Sequence, residues 1–219
     1  IPIRRRSDNP NAKVSNADSF KACIDFLTDG GCLWIAPEGG SDMYRRLRPV
    51  KTGTARIALA TEAANNFQLN LRIQPVGLTY EQPNSFDTGL VVHAGAPIYA
   101  KDWQAEFEQD EFRAAKKLTA FIAERMRSLL LDTRDEAEER LLFRLETLNR
   151  SQKELSELEV YKQSQKMLQA LRQMSAGEQA TLKRELDVYF EMLEEQQLSD
   201  AIILKYRKGR RVGGLLPKL

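Results

Sequence analysis

Apolar positions change rhythm along this chain. After Asp18-Ser19, side chains suited to a helix N-cap, Phe20, Cys23, Ile24 and Leu27 recur at helical spacing and stop at Gly30-Gly31, which predicts one short helix. Cys32-Leu33-Trp34-Ile35-Ala36 is continuously apolar, bounded by glycines and Pro37, and too short for a helix. It predicts a buried strand, followed by a loop to about Lys51. An Ala-rich helix is expected over residues 54–64, then strands over 71–78 and 90–93. Helix, strand, helix, strand, strand is an α/β order.

From Asp102 onward Gly and Pro almost vanish until Gly209, and Leu, Glu, Lys, Arg and Gln dominate, so this half is expected to be helical. Leu141, Leu145, Leu148, Leu155 and Leu158 recur near the heptad average of about 3.5 residues. Leu182, Leu186, Tyr189 and Leu193 repeat the pattern after Ser175-Ala176-Gly177. The pattern predicts two amphipathic helices paired as an antiparallel hairpin. Their expected role is to cap the α/β half or to form a homodimer, with target or membrane-surface binding as the alternative. The division expected is an α/β domain over residues 1–130 and a helical region with a basic tail over 131–219.

Composition narrows the chemistry. The 219 residues carry 33 Lys+Arg against 31 Asp+Glu, and a net charge of +2 implies no polyanionic partner. The charges are segregated, however: residues 131–200 hold 16 acidic and 10 basic side chains, and 201–219 hold six basic and none acidic. Cys23 and Cys32 are too few for a disulfide framework and lack zinc spacing, and both are expected in the core. His93 is the single imidazole, which removes most metal and Ser/His/Asp chemistry, and no metal site is expected. No apolar run approaches the roughly 18 residues of a membrane span, and no signal-peptide pattern is present. The opening Ile1-Pro2-Ile3-Arg4-Arg5-Arg6 lacks Met and any capping or turn chemistry, as expected of a chain that begins inside a fold.

The most informative segment is Trp34-Ile35-Ala36-Pro37-Glu38-Gly39-Gly40-Ser41. Paired glycines let backbone N–H groups turn toward a ligand, and such a nest favours anions. A plain turn after a strand is the alternative on these residues alone. Downstream, Leu47-Arg48-Pro49-Val50-Lys51 leads into a helix N-terminus, and Lys51 and that terminus both favour phosphate. Arg4-Arg5-Arg6 adds a third source of positive charge.

These blocks carry a resemblance. Glu38-Gly39-Gly40-Ser41 after an apolar run, the stretch from Leu47 to Leu59, and Ile73-Gln74-Pro75-Val76-Gly77-Leu78 resemble, in order and spacing, the glycerolipid acyltransferase superfamily. That superfamily includes the glycerol-3-phosphate and lysophosphatidate acyltransferases. The resemblance implies an acyltransferase-like mixed sheet with flanking helices, followed here by an all-helical C-terminal region. It implies O-acyl transfer from an acyl thioester to glycerol-3-phosphate or 1-acylglycerol-3-phosphate in phospholipid biosynthesis. Acyl-CoA or acyl-carrier protein would be the co-substrate, with no other cofactor. Arg5 and Lys51 would pair with the acceptor phosphate, Gly39 and Gly40 would present N–H donors, and Glu38 would take a glycerol hydroxyl or orient the basic residues. Ser41 completes that block; Gly40-Ser41 replaces the family's Thr-Arg, a variant closer to the glycerol-3-phosphate branch.

One block departs. The family's H-x-x-x-x-D is absent, since Ile98 rather than Asp follows His93 at the fifth position. The resemblance therefore places no catalytic residue in this chain and puts the His/Asp pair upstream of Ile1. It also implies association with a membrane on its cytoplasmic face. The tail Lys205-Tyr206-Arg207-Lys208-Gly209-Arg210-Arg211 suits anionic headgroups at about 1 kcal/mol per basic residue near the surface. No nucleic-acid partner is expected, because no aromatic interleaving accompanies the charge. The alternative function is a catalytically inactive module that binds lipid headgroups or acts as a scaffold.

Overall fold

The computed structural model describes residues 17–40, 44–80, 89–152, 155–200 and 202–203. Arg5, the Arg4-Arg5-Arg6 cluster, Ser41 and the basic tail lie outside the described residues. The chain forms two compact units, one from Ile1–Asp42, Leu47–Gly77 and His93–Leu130, the other from Met43–Arg46, Leu78–Val92 and Leu131–Leu219. The architecture is mixed α and β with a helical C-terminal region.

The first described element of the first unit is α1 (Ala17–Thr28), so Asp18 sits in its first turn, where a carboxylate complements the helix dipole, rather than at an N-cap. The helix ends as expected: Gly30 takes φ +86°, which favours glycine, and Gly31 N–H returns to the Phe26 carbonyl at 2.8 Å. The predicted buried strand over 32–36 does not form. The segment is irregular, Trp34 is 76% exposed, and Ile35 and Cys32 are exposed as well, so Cys32 is not a core residue. A strand needs a neighbour for its backbone N–H and C=O groups, and no described strand pairs with this one.

Helix α2 (Gly53–Ala64) matches the Ala-rich expectation. The single strand expected over 71–78 is two, β1 (Arg72–Ile73) and β2 (Val76–Tyr80), with different partners. Pro75 has no N–H to donate to a ladder. Its carbonyl accepts from Gly95 N–H at 3.0 Å, while Gln74 Nε2 donates to the Gly95 carbonyl at 2.6 Å. Strand β2 pairs with β3 (Leu90–Ala94), and β1 pairs antiparallel with β4 (Ile98–Tyr99), Arg72 opposite Tyr99 and Ile73 opposite Ile98. No larger mixed sheet forms among the described residues.

A 3-10 turn (Ala100–Trp103), α3 (Gln104–Gln109) and α4 (Glu111–Arg127) complete the first unit. Its core joins Ala55 and Leu59 of α2 to Ala114, Ala115, Leu118, Ile122 and Met126 of α4, with Leu47 and Ile98. Alanines on both helices let the backbones approach, and burying Leu59 and Leu118 contributes about 1.5–3 kcal/mol each. Cys23, Leu27 and Ile57 form a second cluster that seats α1 on α2, so Cys23 is a core residue.

Among the described residues the helical unit holds three main helices where two were expected: α5 (Glu136–Gln152), α6 (Glu157–Gln173) and α7 (Ala176–Glu195). The first leucine series is split between α5 and α6, because Ser156 is an N-cap with extended backbone (φ −68°, ψ 157°). Its side chain accepts from Glu159 N–H, and the Glu159 carboxylate accepts the Ser156 N–H at 2.9 Å. Ser175 and Glu178 repeat this reciprocal cap at α7. Helix α5 buries Leu142 rather than Leu141. Arg144 pairs with Asp187, linking α5 to α7, and Gln179 Nε2 donates to the Leu171 carbonyl at 2.6 Å, linking α7 to α6. Among the described residues no helix is long and apolar enough to cross a membrane.

Candidate functional site

Between α1 and α2 the chain makes two passes that are pinned to each other. On the first pass, Gly39 N–H closes a turn onto the Ala36 carbonyl at 3.1 Å, and Gly39 takes φ +68°. The second pass is held to it twice: Lys51 N–H donates to the Pro37 carbonyl at 2.9 Å, and Arg48 N–H donates to Glu38 Oε2 at 2.8 Å. The Glu38 carboxylate thus clamps the loop backbone beneath the two cations, which is an orienting role.

The glycines lie directly under those cations. A Cβ at Gly39 would stand 2.6 Å from Lys51 Nζ, and one at Gly40 would stand 2.7 Å from Arg48 Nη1. Lys51 and Arg48 are both exposed. Two residues beyond Lys51, α2 begins at Gly53, and among the described residues no side chain caps it. Thr54 Oγ1, in that first turn, is buried without a hydrogen-bond partner among the described residues. Among the described residues, two cations, a turn with a glycine at positive φ and an uncapped helix start converge on one loop pair, beside the Glu38 carboxylate, whose Oε2 already accepts from backbone. An anion of phosphate type suits that arrangement, through charge-assisted hydrogen bonds and the helix dipole.

The structure therefore brings Glu38, Gly39, Gly40 and Lys51 together, while Arg5 and Ser41 lie outside the described residues. Arg48 joins them without having been singled out. Its signal was its place in Leu47-Arg48-Pro49-Val50-Lys51, three residues ahead of the lysine. His93 is exposed on β3, at a strand end as its pattern suggested. Among the described residues no group of three or more His, Cys, Asp or Glu is placed to hold a metal ion.

Comparison with known proteins bears on what such a loop serves. The chain is related in sequence to glycerolipid acyltransferases. It is 35% identical over 101 residues to glycerol-3-phosphate O-acyltransferase 2 of Saccharomyces cerevisiae, a match covering 46% of this chain and 14% of that protein. It is 31% identical over 127 residues to glycerol-3-phosphate O-acyltransferase 1 of the same yeast, covering 57% of this chain and 17% of that protein. An uncharacterized acyltransferase of Schizosaccharomyces pombe is 33% identical over 72 residues, 33% of this chain and 10% of that one. The chain thus spans less than a fifth of the length of these relatives. No family model matches the chain, and no solved structure matches it significantly.

Proposed function

We propose that this chain is part of an O-acyltransferase that moves a fatty acyl group from an acyl thioester to glycerol-3-phosphate or its 1-acyl form, in phospholipid synthesis. The observation that carries the reading is the placement of Lys51 and Arg48 over the Gly39-Gly40 turn, in a chain whose relatives are named for glycerol-3-phosphate acylation. In this reading the loop holds the acceptor's phosphate: Lys51 and Arg48 pair with its oxygens, Gly40 offers its N–H, Gly39, whose own N–H is taken by the Ala36 carbonyl and not available as the sequence suggested, shapes the turn, and Glu38 keeps both cations in register. Arg5 is a third cation for the same phosphate, and Ser41 closes the block.

The acceptor hydroxyl oxygen attacks the thioester carbonyl, the new C–O bond forms as the C–S bond breaks, and the hydroxyl proton leaves for a base while the thiol departs. The base is a His oriented by an Asp, supplied from outside residues 1–219. What the described residues contribute is positioning, which converts a bimolecular encounter into an oriented one. The donor is acyl-CoA or acyl-carrier protein, and the protein works at a membrane surface on its cytoplasmic face, where the basic tail meets anionic lipid.

Lys51→Ala in the full-length protein tests the loop. A charge-assisted hydrogen bond to phosphate is worth roughly 1.5–3 kcal/mol, so the acceptor KM rises about tenfold or more. The thioester KM stays unchanged, and Lys51→Arg restores part of the loss. Thiol release measured against acceptor concentration reads this directly. Unchanged acceptor kinetics in Lys51→Ala and Arg48→Ala together would overturn the phosphate assignment.

A further inference from the structure

The second pass of the loop does not belong to one compact unit throughout. Met43–Arg46 fall in the helical unit, and the chain returns to the first unit at Leu47. From Leu47 onward the first unit holds the loop: Leu47 is buried in its core, Arg48 N–H donates to Glu38 Oε2, and Lys51 N–H donates to the Pro37 carbonyl. Just before Leu47 the hold is of another kind, and it falls on Arg45.

Both the backbone and the side chain of Arg45 are fixed. Thr133 N–H donates to the Arg45 carbonyl at 2.8 Å. Arg45 Nε donates to Glu139 Oε1 at 2.7 Å, and its Nη1 donates to both oxygens of Glu146 at 2.7 and 2.9 Å. Glu139 and Glu146 stand seven residues apart on α5, about two turns, so one helix face presents both carboxylates. Thr133 Oγ1 donates to Glu139 Oε2 at 2.8 Å and orients the first of them. The side chains of Arg45, Glu139 and Glu146 are 21%, 16% and 11% exposed, so water competes weakly and the contact is unlike a solvated surface pair. A planar fork that meets two fixed carboxylates sets direction as well as distance. Arg48 follows three residues later, within roughly 11 Å of fully extended chain. An anchor that close narrows the backbone conformations open to residues 46–48, so the cation is ordered before an anion arrives and binding need not supply that ordering.

We infer that Arg45 is a positioning residue: clamped by Glu139 and Glu146 of α5, it holds the loop so that Arg48 stands over the Gly39-Gly40 turn. Through it the helical unit sets the affinity of the loop for its phosphate-bearing acceptor. Arg45 does not itself meet the phosphate, because its charge is already met by two carboxylates. The inference rests on the phosphate reading of the loop and gives the helical half a part in it.

The test uses the full-length protein carrying Glu139→Gln and Glu146→Gln together, which keeps both shapes and removes both charges that hold Arg45. The KM for glycerol-3-phosphate rises about fivefold or more, while kcat and the KM for acyl-CoA change by less than about twofold. A merely structural loss reduces the amount of active protein, and so kcat, without moving one KM. Hydrogen exchange quickens in peptides covering residues 44–51 and stays as it was in α2 and α4. In an Arg48→Ala background the same pair of substitutions adds less than about twofold to the acceptor KM, because the residue being positioned is gone. Unchanged exchange over 44–51, an unmoved acceptor KM, or full additivity with Arg48→Ala would each overturn the proposal. Should the paired variant not fold, Arg45→Lys, whose single ammonium cannot reproduce the fork, is read in the same three ways and decides. An acceptor KM that responds to Lys51→Ala but not to the glutamine pair overturns this inference alone. One that responds to neither overturns the phosphate reading and this inference with it.

Discussion

Gly39 holds the loop with one dihedral angle. At φ +68° a side-chain-bearing residue pays about 1–2 kcal/mol, and its Cβ would push into the space that Lys51 Nζ occupies. Because that atom ends a flexible side chain, the fold tolerates the change and the ammonium moves instead. Gly39→Ala is therefore expected to keep its circular dichroism spectrum, lose about 1–2 kcal/mol in urea unfolding, and raise the acceptor KM in the same direction as Lys51→Ala. A substitution that lowers stability and leaves acceptor kinetics alone would show that the glycine serves the turn only. The residues of this loop could be read from the sequence because the chain's own local grammar, Pro37-Glu38-Gly39-Gly40 and then Lys51 before a helix, brings them into reach. Arg48 could not be ranked above Arg45 or Arg46 from sequence, since only the folded loop decides which of three arginines faces the glycines.

The helical half is built on reciprocal caps. Ser156 and Ser175 each satisfy one orphan N–H, and Glu159 and Glu178 satisfy another. Ser156→Ala or Ser175→Ala is expected to lower stability by about 1 kcal/mol, measured by chemical denaturation. The hydrogen bonds from the serine hydroxyl and then from its backbone N–H hold both glutamates below the ordinary carboxylate range. A carboxylate lowered in the folded state stabilises fully above its unfolded value, and that contribution is lost as pH falls through the lowered one. Helicity at 222 nm is therefore expected to fall on acidification below the ordinary glutamate range, with less acid-dependent loss in the double Ser→Ala protein. Equal acid sensitivity in both proteins would show that other carboxylates govern the transition. Both Ser-x-x-Glu signatures stand in the sequence, yet the leucine spacing runs across Ser156 and suggests one helix. The cap prevails because an extended N-cap residue cannot also propagate i to i−4 hydrogen bonds.

Each compact unit has its own core, centred on Leu59 and Leu118 in one and including Leu142 in the other. Leu118→Ala and Leu142→Ala are each expected to cost about 2–5 kcal/mol. Hydrogen exchange read by mass spectrometry should localise the first loss to α2 and α4 and the second to α5 and α6. Exchange that accelerates uniformly along the chain in both variants would mean that the cores unfold as one. By itself the sequence determined what local patterning controls: the Ala-rich α2, the helical second half, the stop at Gly30, and the glycine turn facing a lysine. Only the tertiary structure decided the rest. Residues 32–36 have every mark of a buried strand, but a strand exists by its neighbours, and without one among the described residues Trp34 and Cys32 are exposed. Strand 71–78 breaks because Pro75 meets Gly95 from a distant part of the chain. Arg45 sits beside the loop in sequence, yet its charge is met by Glu139 and Glu146, roughly a hundred positions away. Burial and pairing depend on what the rest of the chain brings to a residue, and no window of sequence contains that.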